Sequence, residues 1–139
     1  MGGIVMKPTD LMLNDWVLWN NRYVQIVRTC AYACYNGHRE VWLAHRNDDN
    51  FIEWHDISTI YPIPLTREIL EKNGFWVMEK VDNGAEEYIA YATDGLIFHY
   101  NRDNDYYFPN TPISWKYVHE LQHALRLCGL DELADNFKI

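Results

Sequence analysis

The sequence has no apolar run approaching the ~20 residues that a bilayer-spanning helix needs, so an integral membrane protein is not expected. It has no Gly-rich phosphate loop and no Gly-x-Ser-x-Gly elbow, which excludes the common nucleotide-binding and serine-hydrolase frameworks. Cysteine is scarce at 3 residues, an odd number with no paired spacing. Reduced thiols and a cytoplasmic setting are therefore expected. Met1 to Val5 is too short and uncharged for a signal peptide, and residue 6 is Met where myristoylation needs Ser or Thr. Positive charge is also in short supply: 12 Lys and Arg against 20 Asp and Glu give a net charge of −8. Such a chain repels nucleic acid unless its charge is segregated. Residues 1–65 carry 5 basic and 7 acidic groups, and residues 66–139 carry 7 and 13. The second half favours a basic partner or an uncharged one.

Aromatic residues are plentiful, with 6 Trp and 10 Tyr among 139 residues. Such side chains suit half-buried strands. Trp16 to Trp19, a turn at Asn20-Asn21 and a strand from Arg22 toward Tyr35 read as a hairpin. Asn36-Gly37 is a second hairpin signal, with Glu40 to Ala44 returning. Phe51 to Trp54 and Ser58 to Tyr61 complete five short strands, the pattern of a small closed barrel. Pro62-Ile63-Pro64-Leu65 is the natural seam. After it, Thr66 caps a short helix over 67–72, ended by Asn73-Gly74. Strands over 75–81, 87–91, 96–100 and 106–108 form a meander, and a helix follows from about Trp115 to Cys128. The expected fold is α+β: an N-terminal Src-homology-type small β-barrel over residues 8–65, then a helix, an antiparallel four-strand meander and a C-terminal helix over 66–139, packed as one compact body. Val118, Leu121, Leu125 and Cys128 have the spacing of a helix laid on a sheet, with Val77, Tyr88, Ala90, Ile97 and Tyr107 as its expected floor.

The most suggestive motif is His119-Glu120-Leu121-Gln122-His123, an H-E-x-x-H pattern. On a helix the two histidines lie one turn apart and can chelate zinc, with Glu120 as general base. Glu132 is a candidate third ligand, alongside Asp131, Asp135 and His99. Arg126 falls on the same face as both histidines, and a fixed cation beside a dication is unfavourable. Both histidines also lie opposite the apolar stripe, so an ordinary solvated face is the favoured reading. That reading has no catalytic residue, no metal and no cofactor. Cys30, Cys34 and His38 offer no second metal site, because positions 30 and 34 are roughly 13 Å apart along a strand. These cysteines, and Cys128 on the helix stripe, read as buried thiols. Asp103 and Asp105 lack the glycine and terminal Glu of a calcium loop.

Trp16, Trp19, Tyr23, Tyr32, Tyr35, Trp42 and Trp54 of the first half are more aromatics than one small core consumes. Trp19, Tyr23 and Trp42, with Arg22 and Arg39, are therefore a candidate binding patch, for bases and phosphates in the nucleic-acid reading.

Lys7-Pro8-Thr9-Asp10-Leu11, Asp15-Trp16-Val17, Pro62-Ile63-Pro64-Leu65-Thr66, Glu68-Ile69-Leu70, Asn73-Gly74-Phe75 and Lys116-Tyr117-Val118-His119-Glu120-Leu121-Gln122 follow one another in a recognisable order. The chain thereby resembles a family of uncharacterised proteins common in gut Bacteroidetes, their prophages and mobile elements. The resemblance brings no activity. It implies Asn at position 123 and Gln at position 120 in many relatives, which makes the zinc pattern local to this chain and gives His119 a structural role. The function expected is that of a non-catalytic accessory protein of a mobile element or its host, working through an unknown protein partner. An H-E-x-x-H zinc hydrolase and a nucleic-acid-binding small barrel are the alternatives.

Overall fold

The computed structural model describes residues 11–35, 38–46, 52–56, 59–84, 87–103 and 105–139, with side chains described outside 27–56. The element order is β1 (Trp16–Trp19), β2 (Arg22–Tyr35), β3 (His38–Arg46), β4 (Ile52–Asp56), β5 (Ile60–Tyr61), α1 (Arg67–Lys72), β6 (Trp76–Asp82), β7 (Glu87–Thr93), β8 (Leu96–Asn101), β9 (Asp105–Tyr107), β10 (Ser114–Trp115), α2 (Val118–Leu127) and α3 (Asp131–Asp135). The α+β class follows directly. Among the described residues no helix is long and apolar enough to cross a membrane.

The first sheet runs β4-β3-β2-β1-β5, antiparallel at each pairing. Trp19 pairs with Arg22 across Asn20 and Asn21, whose φ values of 49° and 61° suit the tight primed turn. Asn36-Gly37 lies outside the described residues, although Tyr35 pairs with His38 on either side of it. The closed barrel expected from five short strands is not formed: β4 and β5 are opposite edges of an open sheet. Closure needs the end strands to meet, whereas β5 is only two residues long and pairs with β1.

The second sheet is a simple meander, β10-β9-β8-β7-β6. It has five strands where four were expected. Ser114 and Trp115 pair with Tyr107 and Tyr106, so the residues expected to open the last helix form β10 instead. α1 begins as expected, with Thr66 Oγ1 accepting from Ile69 N at 3.3 Å. One face of the meander is cored by Phe98, whose ring lies 5.3 Å from Phe75 and 5.2 Å from Trp115. Tyr91, Tyr106 and Leu70 are buried with it. The register explains this face: Val77, Tyr91 and Phe98 form one row, and Ile89, Tyr100, Tyr106 and Trp115 the next.

Two compact units emerge, and they differ from the expected division at 65/66. One comprises residues up to Pro64 together with Tyr117–Phe137 and Ile139; the other is Leu65–Lys116 with Lys138. The helix expected over the meander therefore belongs to the N-terminal unit. There Val118, Leu121, Ala124 and Leu125 of α2 are buried, as are Ala134 and Phe137. Leu11, Val17, Val24, Ile26 and Ile60 form the sheet's own core cluster, with Trp19 packed against it. Where the chain leaves this unit and returns, Pro64 bridges Tyr117 antiparallel and Val118 N donates to Ile63 O at 2.9 Å. Residues 65–116 are thus an insertion within the first unit. Cys128, expected in the core, is exposed. It is the C-cap of α2, and Gly129 at φ 78° turns the chain just after it, so its side chain leaves the helix stripe.

Candidate functional site

Asp15 precedes β1 and is fully buried at 0% exposure. A carboxylate there needs several donors, because an unpaired buried charge is costly. It has three. Met12 N donates to Oδ2 at 2.7 Å, Arg126 Nη1 donates to Oδ1 at 2.9 Å, and His123 Nε2 lies 2.6 Å from Oδ2. Since a carboxylate only accepts, the His123 proton on this contact sits on Nε2. Arg126 also donates from Nη2 to Leu13 O at 2.9 Å and reaches Asp135 Oδ1 at 3.4 Å. Beside it, Gln122 is equally buried, and its amide is fully used. Its Oε1 accepts from Trp16 N at 2.8 Å, and its Nε2 donates to Asn14 O at 2.8 Å and Ala134 O at 3.0 Å. Trp16 Nε1 closes the cluster by donating to Phe137 O at 2.6 Å. The segment Asn14-Asp15-Trp16 is thereby fastened to α2 and α3.

This arrangement corrects the reading of the H-E-x-x-H turn as a solvated face. α2 is buried on two sides: the apolar stripe on one, and His119, Gln122, His123 and Arg126 on the other. His119 is 6% exposed, while Leu127, on the remaining side, is 76% exposed. His119 lies between Tyr117, stacked at 6.1 Å, and His123, edge-on at 5.7 Å. Glu120 Oε1 accepts from Tyr117 N at 3.1 Å, which is the N3 half of a capping box. Glu132 is an exposed residue of α3. No group of three His, Cys, Asp or Glu able to hold a metal ion occurs among the described residues. The Asp15–His123 pair has the form of an oriented imidazole, yet among the described residues no hydroxyl or thiol is hydrogen-bonded to it.

The aromatic patch proposed from the sequence is distributed over the first sheet. Trp19 and Arg22 face each other across the β1–β2 turn, on the side of Val17 and Val24, and Tyr23 pairs with Leu18 on the opposite side. Trp42 and Arg39 lie on β3, opposite Cys30 and Cys34 of β2; their side chains are outside the described set.

Four of the five residues expected as the floor of the last helix, Tyr88, Ala90, Ile97 and Tyr107, lie on the outer face of the meander, which α2 does not join, and Val77 lies on the inner face. The rows of the outer face are Trp76–Ala92–Ile97, Glu79–Ala90–His99–Tyr107–Ser114 and Val81–Tyr88–Asn101–Asp105. Trp76 is 50% and Ile97 46% exposed, and Val81 is also exposed. Tyr88 Oη and His99 Nε2 are 2.9 Å apart, and His99 meets Tyr107 edge-on at 5.7 Å. Partial burial, with Glu79 nearby, raises the Tyr88 hydroxyl pKa above its ordinary value. At its β9–β10 end the face opens into a groove of about 470 Å³ lined by Asp103, Asp105, Tyr107, Thr111, Ile113 and Ser114. A bulge between Val77 and Glu79 shifts the alternation of β6 by one residue, which is why Val77 falls on the other face.

No protein-family model, curated protein or solved structure matches the chain.

Proposed function

We propose that the chain is a non-catalytic accessory protein acting through a protein partner, in the cytoplasm of a bacterial host or for a mobile element of that host, as the sequence resemblance implies. The observation that carries this reading is the row Trp76–Ala92–Ile97, which holds two large apolar side chains half exposed on one sheet face. Side chains of that size left in water together are the usual mark of a binding surface. The roles of the most catalytic-looking residues agree with it: Glu120 caps a helix and His123 is hydrogen-bonded to buried Asp15. The strand order of the first sheet, with β5 beside β1, supports reading it as an opened Src-homology-type barrel.

The test is affinity capture from the native host with the wild-type chain and a Trp76→Ser/Ile97→Ser variant of unchanged circular dichroism. A partner retained by wild type and lost by the variant is the expected result. Equal recovery by both, or none by either, overturns the reading. The zinc hydrolase alternative requires about one zinc per chain on elemental analysis, lost in His123→Ala. The nucleic-acid alternative requires salt-sensitive binding to single strands, lost on mutation of Arg22 and Tyr23.

A further inference from the structure

We infer that the outer face of the meander binds an extended polypeptide segment in which arginine or lysine alternates with apolar residues. The inference rests on the interaction reading above and names the partner's chemistry. The face changes character along its length. Across β6, β7 and β8 the row Trp76–Ala92–Ile97 presents Trp76 and Ile97, both half exposed. Between β6 and β8 the small side chains of Ala90 and Ala92 are buried beneath their neighbours, and the half-buried Tyr88 and His99 form the accessible surface there. At the far end it runs through Tyr107 into a groove carrying the carboxylates of Asp103 and Asp105. Aromatic rings beside carboxylates attract cations twice over, through the ring quadrupole and through charge.

Charge complementarity decides the sign of the partner. Among the described residues, the acidic side chains on this face and its groove are Glu79, Asp103 and Asp105. Lys116 Nζ lies 3.9 Å from Asp105 Oδ2, with both side chains substantially exposed. A pair that long and that wet is weak, so a guanidinium can displace it. Arg102 is directed to Glu87 instead, at 3.9 Å. Nucleic acid would bring phosphates to two carboxylates. A purely apolar partner would leave the groove's carboxylates unused. Addition of a strand at the β6 edge is opposed by the bulge after Val77 and by the charges of Glu79 and Lys80. The sheet face, not its edge, is the surface.

The experiment uses the full chain and a short fluorescent peptide alternating valine with arginine, followed by polarisation across a salt series. The matching valine–glutamate peptide and a single-stranded oligonucleotide serve as competing probes. Only the arginine peptide should bind, and the amide resonances of Tyr107 and Ser114 should shift. Asp103→Asn with Asp105→Asn should weaken binding on the order of tenfold and flatten its salt dependence. Asn suits position 105, where φ is 54°, so the variant keeps its fold, as circular dichroism will check. Failure of the arginine peptide to bind, undiminished binding by the double variant, or preference for the oligonucleotide overturns the inference. If capture of a host partner depends on Trp76 and Ile97 while the arginine peptide does not bind, the cationic chemistry is refuted and the interaction reading stands. If capture shows no such dependence either, both fall.

Discussion

At the scale of single residues, Asp15 holds the N-terminal unit's polar cluster together. Its burial alone would destabilise the fold; its three donors make it favourable. Taking the carboxylate away leaves Arg126 Nη1, His123 Nε2 and Met12 N without their shared acceptor, and removing one member of a buried ion pair costs about 3–5 kcal/mol. Asp15→Ala is expected to lower stability by that much in urea denaturation. His123→Asn is expected to cost about 1 kcal/mol, because the imidazole is partly exposed and Met12 N and Arg126 remain on the carboxylate. Equal losses from the two variants would show that His123, not the carboxylate, is the central partner. In the inserted unit the residue with most to say is Tyr106. Burial, reinforced by nearby Tyr91 and Tyr100, raises its hydroxyl pKa well above the ordinary tyrosine value. Its hydroxyl also donates weakly to Leu65 O at 3.4 Å. The folded state therefore holds this proton at pH values where the unfolded chain releases it. The resulting stability is full below about pH 10, the unfolded tyrosine pKa, and is lost as pH rises from there toward the folded value. Tyr106→Phe should flatten the fall in stability above pH 10, read by near-ultraviolet circular dichroism. An unchanged alkaline limb would contradict the burial assignment.

At the scale of elements, the sequence was legible where a residue's own backbone preference fixes the geometry. Asn20-Asn21, Thr66 and Gly129 marked a turn, an N-cap and a helix end, and each occurs there. β10 and α3 were missed because two-residue and five-residue elements are too short for periodicity to register. The face of α2 was misjudged for a different reason. Polar side chains at 119, 122, 123 and 126 look like solvent contacts in sequence, and the distant Asn14-Asp15-Trp16 segment supplies partners for Gln122, His123 and Arg126. Gln122 is the sharpest case, since a fully buried glutamine satisfying three backbone groups is indistinguishable in sequence from a surface one. The burial pattern makes a clear contrast. Leu121 is fully buried and Leu127 largely exposed, so Leu121→Ala should cost about 2–5 kcal/mol and Leu127→Ala almost nothing. Gln122→Leu should resemble Leu121→Ala in cost despite gaining apolar surface, because Trp16 N, Asn14 O and Ala134 O lose their partner and each unmet buried group costs about 1–3 kcal/mol. A neutral Gln122→Leu in the same denaturation series would mean those groups find water.

At the scale of the whole molecule, chain order and spatial order disagree. Hydrophobic patterning marks Pro62 to Leu65 as a seam, and the chain does change units there, at Pro64 and Leu65. Patterning cannot show that the chain comes back. The return depends on Pro64 pairing with Tyr117, and on α2 and α3 supplying the donors and acceptors that the segment before β1 lacks. This topology has a direct consequence. Because Pro64 and Tyr117 are antiparallel neighbours, a two-residue turn of the Asn-Gly kind can replace residues 65–116 without stretching the backbone. Asp15, Gln122, His123, Arg126 and Trp16 keep every partner described for them, since all lie within residues 12–137 of the first unit. The shortened chain is expected to unfold cooperatively, to bury the Trp16 indole as judged by fluorescence emission, and to lose stability on Asp15→Ala as the full chain does. A chain deleted instead after the expected seam, ending at residue 65, lacks α2 and α3 and leaves the backbone groups of Asn14 and Trp16 unmatched. It should fail to give a cooperative transition. Should the 1–65 fragment fold and the turn-closed chain not, the C-terminal helices would belong energetically to the inserted unit, and the assignment of α2 to the first sheet would fall.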